Sequence, residues 1–501
     1  LAIVICGGLL AWMYSFKNIK PDHKVTAGVI GFLAVYLILF AVGTSVKKMY
    51  RIFPAAVLLV LICELFVLDY PSLWHRESPT RNQVATEYYN DGTKEAVAML
   101  KEQDDSVYRI EKSYTSASEN DGMSQGYNGL SVYMSTNPAS LVAYHKMYGP
   151  ETLSGNFVDF NMDDYIRSSL LGTKYLITGT GYHAPQKIYT SVGDAGGRSV
   201  FENQYALPFG YLYDKEWNQE EVKEMSGLDK TLASLSGFYY TDAEETSSYQ
   251  KADLPEQTDL SLLDYADTAT DCTMEKGSEG ITVSNLGADP NVVFPGVASC
   301  FADNDKLYGL SLTVDAPDET EMAVYYQTEG DEGFSAEKVY TFKVTEDNRT
   351  WEHLVPGGIT ELRVDVSSPV ESAVINNFEL KSCDITESGY TALKESGADE
   401  VTFSDSTYQA QVTNDASENK MLCVPLFYQK GWTAQIDGED AGVYNINEGM
   451  CGVEVPSGTH EIVLKYETPY QNYGVGMTII GIIFFILAFS QNLYKFFVKL
   501  C

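Results

Sequence analysis

The sequence predicts a polytopic α-helical membrane segment joined to large extracytoplasmic α+β and β-sandwich domains of jelly-roll-like texture. Three observations predict it. Long apolar runs lie near both ends of the 501 residues, the chain between them is strongly acidic, and much of that middle alternates apolar and polar residues in short stretches broken by turn residues.

The first apolar run, LAIVICGGLLAWMYSF from Leu1, lacks the basic leader and small-residue cleavage site of a signal peptide, and reads as a truncated transmembrane helix. Val25 to Val46 contains no charge and is long enough to cross a hydrocarbon core of about 30 Å. Phe53 to Leu68 is shorter and carries Glu64, but Tyr70 and Trp74 follow it as an interfacial belt would. Residues 1–69 are therefore expected to hold three transmembrane helices, the first truncated. Glu64 is the polar position inside them, and two readings stay open: its carboxylate snorkels to the outer interface, or it lines an outward-facing polar cavity. A C-terminal transmembrane helix is expected over 473–492, with Lys495 and Lys499 beyond it on the basic side of the membrane.

Residues 1–76 and 473–501 hold nine Lys/Arg and three Asp/Glu, which leaves 34 − 9 = 25 basic and 69 − 3 = 66 acidic residues between them. A segment near −41 repels phosphate polymers and lacks the basic patch of a nucleic-acid binder, so nucleic acid is excluded as a partner. Cys272, Cys300, Cys383, Cys423 and Cys451 lie in this segment. Cys272 with Cys383 and Cys423 with Cys451 are candidate disulfides, because each pair brackets a strand-rich unit; unpaired buried thiols are the alternative. The spacings and scattered histidines identify no metal or cofactor site.

Within the acidic segment, residues 70–215 read as an α+β domain. Ala96, Val97 and Leu100 share one helical face, followed by the strand-like VYRIEKSY and later LLGTKYLITG. Residues 216–266 are Ser/Thr-rich and acidic, with helical spacing at Gln219 to Met225 and Asp229 to Leu235, and read as an acidic linker with helices. Between 267 and 384, GITVSNL, LYGLSLTVDA, EMAVYYQT, KVYTFKVT, ELRVDVSS and VINNFELKS form the pattern of a jelly-roll or carbohydrate-binding-module-like β-sandwich. Residues 385–472 read as a second small β domain, with Asp437-Gly438 and Ser457-Gly458 as hairpin turns.

No HExxH, GxSxG or Walker loop is present. GTGYHA at 179–184 imitates a dinucleotide fingerprint, but PQKIYTSVG cannot open the helix that a pyrophosphate needs. The richest binding composition is a run of tyrosines (Tyr127, Tyr133, Tyr144, Tyr148) among Asn120, Asp121, Asn128 and Asn137. Sugars stack on aromatic faces and hydrogen-bond to amides and carboxylates, so these eight are the candidate substrate-binding residues, with half-buried packing residues as the alternative.

Five ordered blocks then carry a resemblance over nearly the whole chain. They are VYRIEK at 107–112, the Asn120 to Asn137 stretch with YNGLSVYMSTN, LLGTKYLI at 170–177, FENQYALPFGY at 201–211, and YQKGWTAQIDG with VPSGTHEIVLKY before the last apolar run. In these the chain resembles the C-terminal part of bacterial YfhO-type membrane proteins. The resemblance implies a multi-pass cell-membrane glycosyltransferase of the GT-C type with residues 70–472 extracytoplasmic. It would move a sugar from a polyprenyl-phosphate carrier to a surface glycopolymer such as teichoic acid, its outer domains guiding acceptor or carrier. It also implies an acidic residue in a first outer loop, expected upstream of Leu1, that either deprotonates the acceptor or helps hold a divalent metal in the full-length protein, so no catalytic residue is assigned here. The alternative is a non-enzymatic, membrane-anchored surface protein whose sandwich modules bind glycans or envelope partners.

Overall fold

The computed structural model describes residues 8, 23–46, 52–69, 80–117, 120–148, 157–158, 164–179, 184, 187–241, 249–346, 348–367 and 371–500. The chain divides into two compact units, Leu1–Thr86 and Glu87–Cys501.

In the first unit, the uncharged stretch after Lys24 forms the helix His23–Ser45. A second helix, Phe53–Glu64, starts on Pro54, whose missing N–H is harmless in a first turn, and passes into a π turn over Leu65–Asp69. Phe40 and Phe53 meet edge to face at 5.1 Å, and the Tyr36 hydroxyl donates to a Glu64 carboxylate oxygen at 2.7 Å. Glu64 is thus satisfied by a side chain from the neighbouring helix.

The expectation of a polytopic helical membrane segment is corrected here. Among the described residues one helical stretch, Lys24–Gly43, is long and apolar enough to cross a bilayer. Phe53–Leu68 and Gln471–Leu487 are shorter apolar helices. At about 1.5 Å rise per residue, the 16 residues of Phe53–Leu68 reach only about 24 Å, short of a core of about 30 Å. The run at Leu1, expected to be the first span, lies outside the described residues apart from Gly8.

The second unit is mostly β. Its first sheet is mixed, with strands in the order Arg109–Lys112, Thr173–Gly179, Arg198–Asn203 and Tyr189–Ala195; the first pair is parallel. Helix Thr93–Gln103 covers one face through Ala96, Val97 and Leu100, which pack with Tyr108, Ile110, Tyr175, Ile177 and Val200. Helices Gln219–Lys223 and Gly227–Ser236 are capped by Asn218 and Ser226, and Leu228, Leu232 and Leu235 enter a central core.

Residues 258–384 build two antiparallel sheets, one of six strands and one of five. Strands such as Ile359–Val366 and Glu321–Thr328 alternate buried and wetter positions, so each sheet turns one face inward. Val292, Phe294, Leu310, Leu312, Leu362, Val364 and Phe378 fill the space between the sheets. A last pair of sheets follows. Tyr408, Val412, Ile462 and Leu464 of a five-stranded sheet pack on Leu422, Val424 and Val453 of a four-stranded one. The fourth strand of that smaller sheet is Tyr211–Tyr213, paired with Met421 to Cys423. Helix Gln471–Leu500 ends the chain, with Val475, Ile479, Ile483 and Phe484 exposed.

Both candidate disulfides are also corrected: these four cysteines are free thiols. Cys423 and Cys451 lie on adjacent strands, but Cys423 pairs with Gly452 and Cys451 with Val424. The two side chains therefore point to opposite faces, Cys423 into the central core and Cys451 into the last sandwich. Cys272 precedes Thr273, which pairs with Ser284 and through it with Ser372. Cys383 is 383 − 372 = 11 residues further along the strand Ser372–Asp384, about 36 Å at about 3.3 Å per residue. A disulfide needs Cα atoms within roughly 7 Å.

Phe378 is fully buried and packs edge-on against Phe294 at 4.9 Å. Phe378→Ala should cost about 3–5 kcal/mol of stability, read by denaturant unfolding with buried Trp351 of the same core as reporter. A loss below about 1 kcal/mol would mean that the sandwich interior does not close around this ring.

Candidate functional site

The strand Arg109–Lys112 is an edge strand of the mixed sheet, and a cleft forms along its open side. On the inner side, the Arg109 N–H donates to the Gly172 carbonyl at 2.8 Å. On the outer side, the Ile110 N–H donates to Asn128 O at 2.8 Å, and the Asn128 amide donates to Tyr108 O at 3.3 Å. Residues 126–130 thus run alongside the strand without continuing the sheet. Between them, the approach segment 104–108 and the 120–132 loop is a cleft of about 730 Å³, with Tyr108, Arg109, Tyr127, Phe209 and Phe403 among its lining residues. A second hollow of about 970 Å³ shares Asp105 to Tyr108 and Phe209 with it.

The candidate binding residues separate in space. Asn120, Tyr127 and Asn128 line the cleft. The Asn120 amide donates to Tyr133 O at 2.8 Å and accepts from Tyr133 N at 3.0 Å, pinning the loop and leaving the Tyr133 ring 55% exposed. Asp121 is buried. It pairs with Lys112 at 2.7 Å and accepts from the Ser116 and Ala117 N–H groups at 2.6 and 3.1 Å, so this carboxylate is committed to the fold. Tyr144 packs edge-on against Phe427 in the central core. Asn137 is half-buried just before helix Ala139–Tyr148, and the Tyr148 side chain lies outside the described residues.

Lys112 anchors a polar network under the cleft. Its ammonium donates to Ser116 and Asp121 at 2.7 Å and to Gln125 at 3.2 Å, while Asp91 accepts from Ser116 and Gln125 and pairs with Arg198 at 3.1 Å. Burial pulls the Lys112 amine down from its usual range, against the hydrogen bond and charge of Asp121. At the cleft rim, Asp104 accepts from Lys174 at 2.6 Å and from the Tyr175 hydroxyl at 2.7 Å. Burial opposes the Asp104 charge, but the hydrogen bonds from Lys174, Ser106 and Tyr175 outweigh it and hold the carboxyl well below the ordinary range.

Three cleft residues escape sequence reasoning: Arg109, Phe209 and Phe403. Arg109 is only 8% exposed. Its guanidinium donates to the Leu171 carbonyl and lies 5.1 Å from the Phe209 ring centre. Among the described residues no carboxylate lies within ion-pair distance of it. Burial lowers its pKa to about 10, partly offset by Glu111 further along the same strand face. Gly172 adopts φ +79°, where a Cβ would meet the Phe209 ring at 2.7 Å, so the glycine is what lets that ring close over the guanidinium. Phe403 comes from the strand Asp399–Ser404 and is 39% exposed on the cleft wall. The alternation of VYRIEK could have flagged Arg109 and Glu111 as one face, but not that the face is covered. Among the described residues no three His, Cys, Asp or Glu side chains are grouped to hold a metal ion.

A cleft with aromatic residues in its lining thus lies in a mostly β body, and the chain carries one helical stretch long and apolar enough to cross a bilayer. The comparisons name its family. Residues 1–479 match the family described as bacterial membrane protein YfhO, and the chain belongs to it. It is 21% identical over 488 residues to the YfhO protein of Bacillus subtilis (strain 168), covering 92% of this chain and 53% of that protein. The chain thus spans about half the length of this curated relative. Among solved structures, the C-terminal CBM6 of LamC from Zobellia galactanivorans is 13% identical over 26% of this chain and 100% of that one, with a TM-score of 0.16. The xylan-binding module CBM15 is 14% identical over 25% of this chain and 96% of its own, with a TM-score of 0.19. The arabinofuranosyltransferase AftD from Mycobacteria is 9% identical over 46% of this chain and 29% of that one, with a TM-score of 0.14.

Two outcomes test this electrostatic reading. Lys112→Met, which strands the buried Asp121 charge, should cost about 3–5 kcal/mol, and the double variant with Asp121→Leu should recover most of it; unfolding free energies of the two variants decide, and equal losses would show that the pair is not coupled. Asp104, held low, contributes its full stability above the unfolded value of about 3.9 and loses it as pH falls through its lower folded value. Lys174→Met should therefore lose about 1–2 kcal/mol at neutral pH. Its gap to wild type should narrow only below about pH 4, and a gap that is the same at every pH would refute the pairing.

Proposed function

We propose that this chain is the glycan-handling, extracytoplasmic part of a membrane glycosyltransferase, and that the cleft beside Arg109 holds the sugar-bearing ligand. In this reading a sugar passes from a polyprenyl-phosphate carrier to a surface polymer such as teichoic acid, with the transfer chemistry residing in the rest of the full-length protein. Membership of the YfhO family and the five-block resemblance support the enzyme class. The cleft supports the role of this part. The observation that carries it is the pairing of an exposed aromatic face, Phe403, with the Asn120 and Asn128 amides and the Tyr127 ring around one cleft of about 730 Å³. Sugar rings present axial C–H groups to aromatic faces and hydroxyls to amides, so the same wall can hold either donor sugar or acceptor.

The test is genetic and chemical. The host gene is deleted, then the complete reading frame is returned as wild type or as Phe403→Ala, and sugar on purified surface polymers is quantified by mass spectrometry. The expected result is loss of sugar on deletion, full rescue by wild type, and rescue reduced at least fivefold by Phe403→Ala at equal protein level. Polymer sugar untouched by deletion would reject the transferase reading, and full rescue by Phe403→Ala would remove the cleft from it.

A further inference from the structure

Arg109 is an odd residue to bury. A guanidinium offers five N–H donors and a permanent positive charge, yet inside the protein it meets one backbone carbonyl, Leu171 O, and one ring face, Phe209. The acidic segment around it contains 66 carboxylate residues, and none has been placed within ion-pair distance of it among the described residues. Lys112, three residues along the same strand, is treated in the opposite way: it is fully matched by Asp121, Ser116 and Gln125. Two buried cations on one strand, one ion-paired and the other with only the charge of buried Glu111 acting on it from beyond ion-pair distance, differ in what they border. Lys112 sits in a closed network, and Arg109 lines the cleft.

We propose that Arg109 is an anion-recognition residue of the cleft, taking the phosphate-ester group of a ligand whose sugar lies toward Phe403. The proposal rests on the glycan reading of the same cleft and adds the charged group that the ligand must carry. The chemistry favours a phosphate ester because a guanidinium fork meets two phosphate oxygens with two parallel charge-assisted hydrogen bonds. Phe209 holds the guanidinium plane from one side and so limits the rotamers lost on binding. Lys101, which donates to Gly126 O at 2.7 Å, adds a second positive charge on the cleft wall. Asp104 and Asp105 also line the cleft; Asp104 is matched by Lys174, and Asp105 disfavours a ligand that carries its charge at that end. A phosphate ester can come from a lipid headgroup or from a phosphodiester polymer, and Arg109 would read the group common to both.

The experiment uses the full chain in detergent micelles. Phenylglyoxal modification of Arg109 is followed by peptide mass spectrometry with no addition, with glucose 1-phosphate, with dodecyl phosphate, with glucuronate and with neutral maltotriose. Arg109 is expected to react in the free chain and to be protected at least fivefold by a phosphate ester. Protection by dodecyl phosphate alone marks a lipid headgroup as the source, and protection by glucose 1-phosphate marks a soluble ester. Arg109→Gln should weaken glucose 1-phosphate or dodecyl phosphate binding at least tenfold while changing maltotriose binding less than twofold, and Arg109→Lys should fall between. Lack of reaction in the free chain, equal reaction with and without phosphate esters, or protection only by glucuronate overturns the proposal, and these readouts need no variant to fold. Phosphate protection without any neutral-sugar binding would sink the glycan reading and leave the anion site standing; sugar binding without phosphate protection would do the reverse.

Discussion

Taking a guanidinium out of water costs several kcal/mol, and the packing around Arg109 is arranged about that cost. The Leu171 carbonyl that receives it caps the end of helix Tyr165–Leu170, where the backbone dipole is negative. Gly172, in a left-handed conformation, carries the chain from that helix into the strand Thr173–Gly179 and accepts the Arg109 N–H. Phe209 closes over the charge. Two residues on, the Tyr211 hydroxyl donates to Leu170 O at 2.8 Å, and the same residues extend the sheet of the last sandwich by pairing with Met421 to Cys423. One buried cation thereby draws together three segments lying up to a hundred residues apart.

This convergence gives physical meaning to the blocks on which the family resemblance rests. VYRIEK supplies the strand and the cation, LLGTKYLI supplies the carbonyl and the glycine turn, and FENQYALPFGY supplies the ring and the crossing strand. The asymmetry of the strand matters as well. Tyr108, Ile110 and Lys112 face the helix Thr93–Gln103 and the closed network, whereas Arg109 and Glu111 face the other way, toward Phe209 and the Leu130 N–H. A period of two residues separates a satisfied interior from a face that borders a cleft.

What could be read from the sequence depended on whether the deciding contact was local. The stripe of Ala96, Val97 and Leu100 and the alternation along Ile359–Val366 report their own burial, because helix and strand periods are written in neighbouring residues. Hydropathy records composition, so it marks Phe53–Leu68 as a span although that helix is too short to cross a bilayer, while Lys24–Gly43 has both the composition and the length. Glu64 was ambiguous because its partner, Tyr36, lies 28 positions earlier on another helix. The tyrosine and asparagine cluster was crowded in sequence only: Asp121 turns to Lys112 and Tyr144 to Phe427, leaving Asn120, Tyr127 and Asn128 at the cleft. Nothing in the residues around Arg109 announces that 170–172 and Phe209 will cover it.

The acidity of residues 77–472 sets the terms on which such a site can work. Charges on a surface are screened within about 8 Å at physiological salt, so a net charge near −41 lowers the local concentration of a free polyanion but acts weakly at contact range. A cation inside a cleft acts in the opposite regime, where water is sparse and a single guanidinium interacts strongly with whatever enters. The surface charge thus discourages nonspecific anion binding, whereas Arg109, with the Phe209 ring beside it, stands at the cleft wall with no carboxylate in ion-pair distance among the described residues.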